Sequence, residues 1–213
     1  SRFKSVIPHK RSSDISLRQF LSEVRGTKHE ELVGRIRKES DEKKQKALKV
    51  KLPCVMLSGV GDRKRKYAKT EPPFEHSGLL QIDFDLKDNP SIGSVGVFGN
   101  LKSDPHVLAL FRSPCGGLKA VVSIPQSEDA HEASFKSAQE HFSCKYALQM
   151  DAAPKNRRSL CFLSYDPDLY LAEGEVESFR PSISTTQKHS NAETQKKRKP
   201  SESHVDKILE NLD

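Results

Sequence analysis

Residues 78–85, GLLQIDFD, decide how the chain is read. Leu80, Ile82 and Phe84 alternate with Gln81, Asp83 and Asp85, the period of two expected of a strand with one apolar face. The same period places both carboxylates on one face, with Phe84 turned to the other. Two neighbouring carboxylates repel each other unless a cation neutralises them. Hard oxygen ligands at i and i+2 suit Mg²⁺ or Mn²⁺, and such pairs form the core of two-metal nucleotidyl-transfer sites. The plainer reading of the same spacing is two solvent-facing acids at a strand end.

Working outward, residues 54–57 (CVML), 107–111 (VLALF), 118–124 (LKAVVSI) and 159–165 (SLCFLSY) read as further strands. Residues 16–24 (SLRQFLSEV) have helical spacing at Leu17, Phe20, Leu21 and Val24, with Ser16 as the cap. Residues 29–49 read as a second, highly charged helix, and residues 128–146 as a long amphipathic one. Strands interspersed with helices give an α+β class. Residues 1–50 are expected to form a helical segment packed on a core at 51–180. Residues 181–203, rich in Ser, Thr, Gln and Lys, have linker composition. Residues 204–213 regain an apolar face at Val205, Ile208, Leu209 and Leu212, as if a further module began there. The opening Ser1, in place of Met, suggests a fragment of something longer.

A second chemical signal lies between two of the expected strands, at residues 112–119 (RSPCGGLK). Gly116 and Gly117 would let backbone N–H groups approach a phosphate, and Arg112, Ser113 and Lys119 could donate to its oxygens. Stripped of Arg112 and Lys119 this is a plain hairpin turn, and it is not a P-loop. Asp166 follows the strand SLCFLSY and is the candidate third metal ligand, although Asp166-Pro167-Asp168 is also good turn chemistry. Arg157 and Arg158 precede that strand and could meet phosphate or template. The basic run Arg63, Lys64, Arg65 and Lys66, with Tyr67 beside it, could track a single strand and stack a base, or could simply be solvated.

Bulk properties agree with a polyanionic partner. The 213 residues carry a formal charge of +7, and 31% of them are charged. The four cysteines Cys54, Cys115, Cys144 and Cys161 have no zinc or disulfide spacing, so reduced thiols in a cytoplasmic protein are expected. No apolar run reaches the length of a membrane span, and no heptad or large apolar helix face argues against a monomer.

Taken in order, the blocks LPCVMLSGV, HSGLLQIDFD, DPHVLALFRSPCGGLKAVV and CFLSYDPDLYL resemble the archaeo-eukaryotic primase superfamily. They look most like the primase-polymerase-like N-terminal domain of virulence-associated-E-type primase-helicase proteins, over about residues 52–171. That resemblance implies an RRM-like antiparallel or mixed sheet flanked by helices. It implies metal ligation by Asp83, Asp85 and Asp166, and nucleotide binding by Ser113, with Lys119 in or near the place of the family's histidine. The implied activity is template-directed primer synthesis or extension on single-stranded DNA from NTP or dNTP. It would serve replication of a bacterial, phage or mobile-element genome, alongside a helicase. Two other readings stay open: a non-catalytic single-stranded nucleic-acid-binding module that serves such a helicase, and, less favoured, a metal-dependent nuclease.

Overall fold

The computed structural model describes residues 1–4, 12–62 and 69–180. The chain begins with a short strand β1 (Arg2–Phe3) and then forms α1 (Leu17–Arg25). Ser16 caps α1: its hydroxyl accepts the Gln19 N–H while the Gln19 side chain accepts the Ser16 N–H, a reciprocal capping box. The charged stretch expected as one helix is two, α2 (Glu30–Lys38) and α3 (Glu42–Lys49). Asp41 explains the break, because its side chain accepts the Lys44 N–H at 3.0 Å and starts a new helix.

Strands β2 (Cys54–Val55), β3 (Gly59–Gly61), β4 (Phe74–His76) and β5 (Leu79–Phe84) follow, then α4 (Val95–Lys102). The hairpin strands β6 (Val107–Arg112) and β7 (Leu118–Ser123) lead into α5 (Glu128–Tyr146), and β8 (Cys161–Phe162) and β9 (Tyr170–Leu171) complete the order. The fold is mixed α+β with antiparallel sheets. The central sheet has strand order β5-β7-β6-β9, a second sheet runs β1-β2-β8, and β3 pairs with β4.

Alternation along the central strands gives the sheet two apolar faces. Leu80, Ile82 and Phe84 of β5 and Leu118, Ala120 and Val122 of β7 pack with Phe135, Ala138 and Phe142 of α5. Phe84 and Phe142 meet edge to face with centroids 5.4 Å apart. The opposite face carries Leu79, Val121 and Phe111, covered by Leu17, Phe20, Leu21 and Val24 of α1 and by Val55 and Cys161 of the second sheet. The N-terminal segment therefore closes the core of the sheet. By parity, Asp83 and Lys119 fall on this second, α1-covered side. Residues 181–213, expected as a linker and the start of a further module, lie outside the described residues.

A buried histidine pair ties β4 to α5. The Gly78 N–H donates to His76 Nδ1 at 3.0 Å, His76 Nε2 stands 3.0 Å from His131 Nδ1, and His131 Nε2 stands 2.9 Å from the Pro154 carbonyl. A backbone N–H can only donate and a carbonyl can only accept, so both protons are placed: His76 donates from Nε2 to His131, and His131 donates from Nε2 to Pro154. Both rings are neutral in this relay. Burial, aided by the neighbouring His131 and Arg157, lowers His76 from 6.5 to about 4. An unfolded chain takes up a proton near pH 6.5 that the folded ring refuses until about pH 4. The contribution to stability is thus whole above pH 6.5 and declines as pH falls towards 4. Between pH 7 and pH 5 the wild type should lose about 2 kcal/mol through this group. Urea denaturation at the two pH values measures it, and His76→Asn should show a visibly shallower pH dependence. An equal dependence in both proteins would remove the relay from the explanation.

Candidate metal centre

The register of β5 on β7 sets Asp83 directly opposite Lys119. Side chains directly opposite in an antiparallel pair have Cβ atoms about 5 Å apart, so the two charges meet. Lys119 donates its ammonium proton to Asp83 Oδ2 in an ion pair whose side chains are 3% and 13% exposed. Burial alone would push Lys119 down; the Asp83 carboxylate that it contacts and the nearby Cys161 and Asp85 together outweigh it and hold the ammonium above its ordinary range. Asp83 Oδ1 is buried as well, and among the described residues no hydrogen-bond donor reaches it. A buried carboxylate oxygen without a donor lacks stabilisation that a hydrogen bond or a metal ion would supply.

Asp85 lies just past the end of β5. Burial is the first cause of its raised pKa, and the carboxylates of Asp83 and Asp151 add to it, against the opposing pull of Lys49 and Lys119. Asp151 was not among the residues expected from the sequence. It arrives from the segment after α5, where its backbone N–H donates to the Asp83 carbonyl at 2.8 Å. Its Oδ1 accepts the Ala153 N–H at 3.2 Å and opens the turn at 153–155. The local signal was an acid directly after the buried Leu148 and Met150 and ahead of a proline turn. Three carboxylates thus act on one another at the strand end against two lysines, leaving a residual negative charge that attracts a cation, although their ligand atoms do not all lie within 4.8 Å of one another. Oxygen donors of this kind fit Mg²⁺ or Mn²⁺ better than Zn²⁺.

The other expected residues divide. The turn of residues 113–117 packs against this strand end. A Cβ on Gly117 would lie 2.4 Å from the Phe84 carbonyl oxygen and 3.4 Å from the Asp85 Cα, and Gly116 has φ +93°. The two glycines therefore serve close approach and a left-handed turn. The Gly116 amide, expected to face a phosphate, is committed inside the turn to the Ser113 carbonyl at 3.1 Å, and the Ser113 N–H closes the turn on the Gly117 carbonyl at 2.7 Å. Gly117→Ala should force the turn away from β5 and destabilise the protein by about 1–3 kcal/mol, the usual range for overpacking. Thermal unfolding checks this, and an unchanged midpoint would contradict the contact.

Asp166 is 2% exposed, and its carboxylate is occupied by backbone donors. It accepts the Arg112 N–H at 2.7 Å and the Asp168 N–H at 3.2 Å, and its own N–H donates to the Val24 carbonyl. It joins the end of β6 to α1 and acts on Arg37, whose guanidinium donates to the carbonyls of Ser113 and Tyr165. Asp151, not Asp166, acts on Asp85. Arg158 is also committed elsewhere: it donates to the carbonyls of Asp62 and Pro72 and stacks on the Phe74 ring at 4.6 Å. The Arg112 side chain is exposed at the rim of the turn. Lys119 is buried and donates to Asp83. The basic run Arg63, Lys64, Arg65, Lys66 and Tyr67 lies outside the described residues.

Comparison with known families corrects one expectation. The BT4734-like, N-terminal domain family matches residues 47–171, more than half of the 213 residues. The chain belongs to that family. No primase family matches, so the resemblance to virulence-associated-E-type primase-helicases is set aside. No curated protein and no solved structure matches the chain. The BT4734-like domain, as matched, takes in every strand from β2 to β9 and therefore the whole acid cluster. Among its described residues no helix is long and apolar enough to cross a membrane.

Proposed function

We propose that this BT4734-like domain carries out divalent-cation-dependent nucleotidyl transfer on single-stranded DNA, with Mg²⁺ or Mn²⁺ held by Asp83 and Asp85 and the negative charge of Asp151 nearby. The observation that supports the reading most is the buried, donor-less Asp83 Oδ1 beside Asp85, whose carboxyl is raised by burial and by two neighbouring acids. A cation there would polarise the α-phosphate of an NTP or dNTP and favour the ionised 3′-oxygen that attacks it, with pyrophosphate leaving. The chain's own contribution is positional. Lys119 fixes Asp83 from beneath, the Gly117 contact fixes the strand end, and Asp151 brings the third carboxylate. Exposed Arg112 and half-buried Lys49 are the cations available to the triphosphate or the template. A helicase is the natural consumer of such an activity.

A second reading rests on the completed Asp83–Lys119 pair. With Asp83 already neutralised, the domain would be a single-stranded nucleic-acid-binding module drawn to DNA by its +7 charge. Nucleotide incorporation into single-stranded DNA, with and without primer, in Mg²⁺ and in Mn²⁺, separates the two. Metal-dependent product supports transfer. DNA binding indifferent to metal, with no product, supports the binding module.

A further inference from the structure

A second constellation of ligating side chains stands on the side of the central sheet covered by α5. Asp104 closes α4 onto β6, His106 directly precedes β6, and His141 lies on α5. One ligand atom from each lies within 4.8 Å of the others, and among the described residues no other His, Cys, Asp or Glu trio does so. We propose that Asp104, His106 and His141 form a site for Zn²⁺ or a chemically similar transition-metal ion, and that the Lys145 ammonium takes the cation's place when the metal is absent.

The donor set and its orientation carry the inference. Imidazole nitrogens with a carboxylate suit zinc-like ions, and Mg²⁺ poorly. His106 Nδ1 is 2.9 Å from the Glu177 carbonyl, which can only accept, so the proton sits on Nδ1 and Nε2 keeps its lone pair. Such an outward hydrogen bond orients metal-binding histidines generally. His106 is further held by stacking on Phe179, with centroids 3.9 Å apart. His141 Nε2 is 2.8 Å from Asp104 Oδ2. Ligand atoms about 2.0–2.1 Å from a tetrahedral ion stand roughly 3.3 Å apart, and the three here already lie within 4.8 Å of one another, so side-chain adjustments of up to about 1.5 Å admit the metal.

The carboxylate is prepared for a cation. Asp104 has a fully buried side chain. Its Oδ1 accepts the His106 N–H at 3.0 Å, and its Oδ2 accepts from Tyr146 Oη at 2.7 Å and Lys145 Nζ at 3.0 Å. Lys145 is 47% exposed and can leave for water, whereas the Tyr146 hydroxyl can stay as an outer donor to the ligand. A fourth position is open to water or to the exposed Glu177 carboxylate, 3.8 Å from His106 Nε2. Occupied, the site would pin α5 to the α4–β6 connection, a structural role distinct from the acid cluster.

Titration calorimetry of the untagged protein with ZnCl₂, alongside thermal unfolding, tests the proposal. One Zn²⁺ should bind in the micromolar range or tighter and raise the midpoint. His106→Asn should weaken it at least about tenfold. Lys145→Met should tighten binding several-fold, an effect that chance chelation by surface histidines would not show. Absence of binding below millimolar Zn²⁺, an unchanged affinity in His106→Asn, or an affinity unmoved or weakened in Lys145→Met would each overturn it.

Discussion

Lys119→Met should destabilise the protein by about 3–5 kcal/mol, the cost of leaving a buried carboxylate without its partner. The side chain is 3% exposed and its ammonium is the hydrogen-bond donor to Asp83, so neither water nor another described side chain takes its place. Removing both charges is a different matter. In Asp83→Leu/Lys119→Met most of that loss should return, because a buried ion pair exchanged for apolar groups of similar volume is often neutral. The single variant also exposes the logic of the cation site. With Lys119 gone, three carboxylates face one lysine, and millimolar Mg²⁺ should raise the unfolding midpoint of Lys119→Met by more than it raises that of the wild type. Denaturant titration of the three proteins, with and without Mg²⁺, gives the complete comparison. A loss below about 1 kcal/mol in the single variant would mean that the pair is far more hydrated than its burial implies.

The parts of the fold that were legible in the sequence were those with a clean period. Residues 79–84 show the alternation of a strand, residues 107–112 and 118–123 are short, largely apolar runs because those strands have apolar cover on both faces of the sheet, and α1 and α5 show helical spacing with recognisable starts. Three features were hidden for physical reasons. Strand-helix ambiguity concealed α4, whose sequence VGVFGNLK contains two glycines and no apolar stripe, although Ser94 caps it and Val97 and Phe98 pack on the core. The β3–β4 hairpin was invisible because its signature is space. A Cβ on Gly59 would lie 2.3 Å from the Glu75 carbonyl oxygen, so glycine marks a backbone contact that only the partner strand reveals. The charged run at 29–49 concealed the Asp41 cap among other acids and lysines.

The candidate site divides the same way. Asp83, Asp85 and Lys119 could be read from strand period and position, and the structure brings them together through one register pair and one strand end. Asp166 could not be assigned, because an acid after a strand and before a proline serves a turn as readily as a metal, and here it accepts the Asp168 N–H in such a turn. Asp151 reaches the cluster through a backbone bond to Asp83 from a segment 68 positions later, information that no local pattern holds. The Asp104, His106 and His141 group joins residues from two distant places in the chain and was equally hidden, its histidines having no ligand spacing in sequence.

Asp85→Asn is the variant that addresses the function directly. It removes one charge from the cluster, keeps the shape of the side chain, and leaves the buried Asp83–Lys119 pair intact. Asp83→Ala, by contrast, would strand Lys119 in the core and confuse lost activity with lost folding. The decisive measurement is the rate of nucleotide incorporation on primed single-stranded DNA in Mg²⁺ and Mn²⁺, wild type against Asp85→Asn, with both proteins shown to be folded and to bind the template equally. The account predicts metal-dependent product from the wild type and a rate at least about 100-fold lower in the variant, as expected when a reacting centre loses its positioning. Equal rates in the two proteins, or no product from a wild type that binds its template, would contradict it.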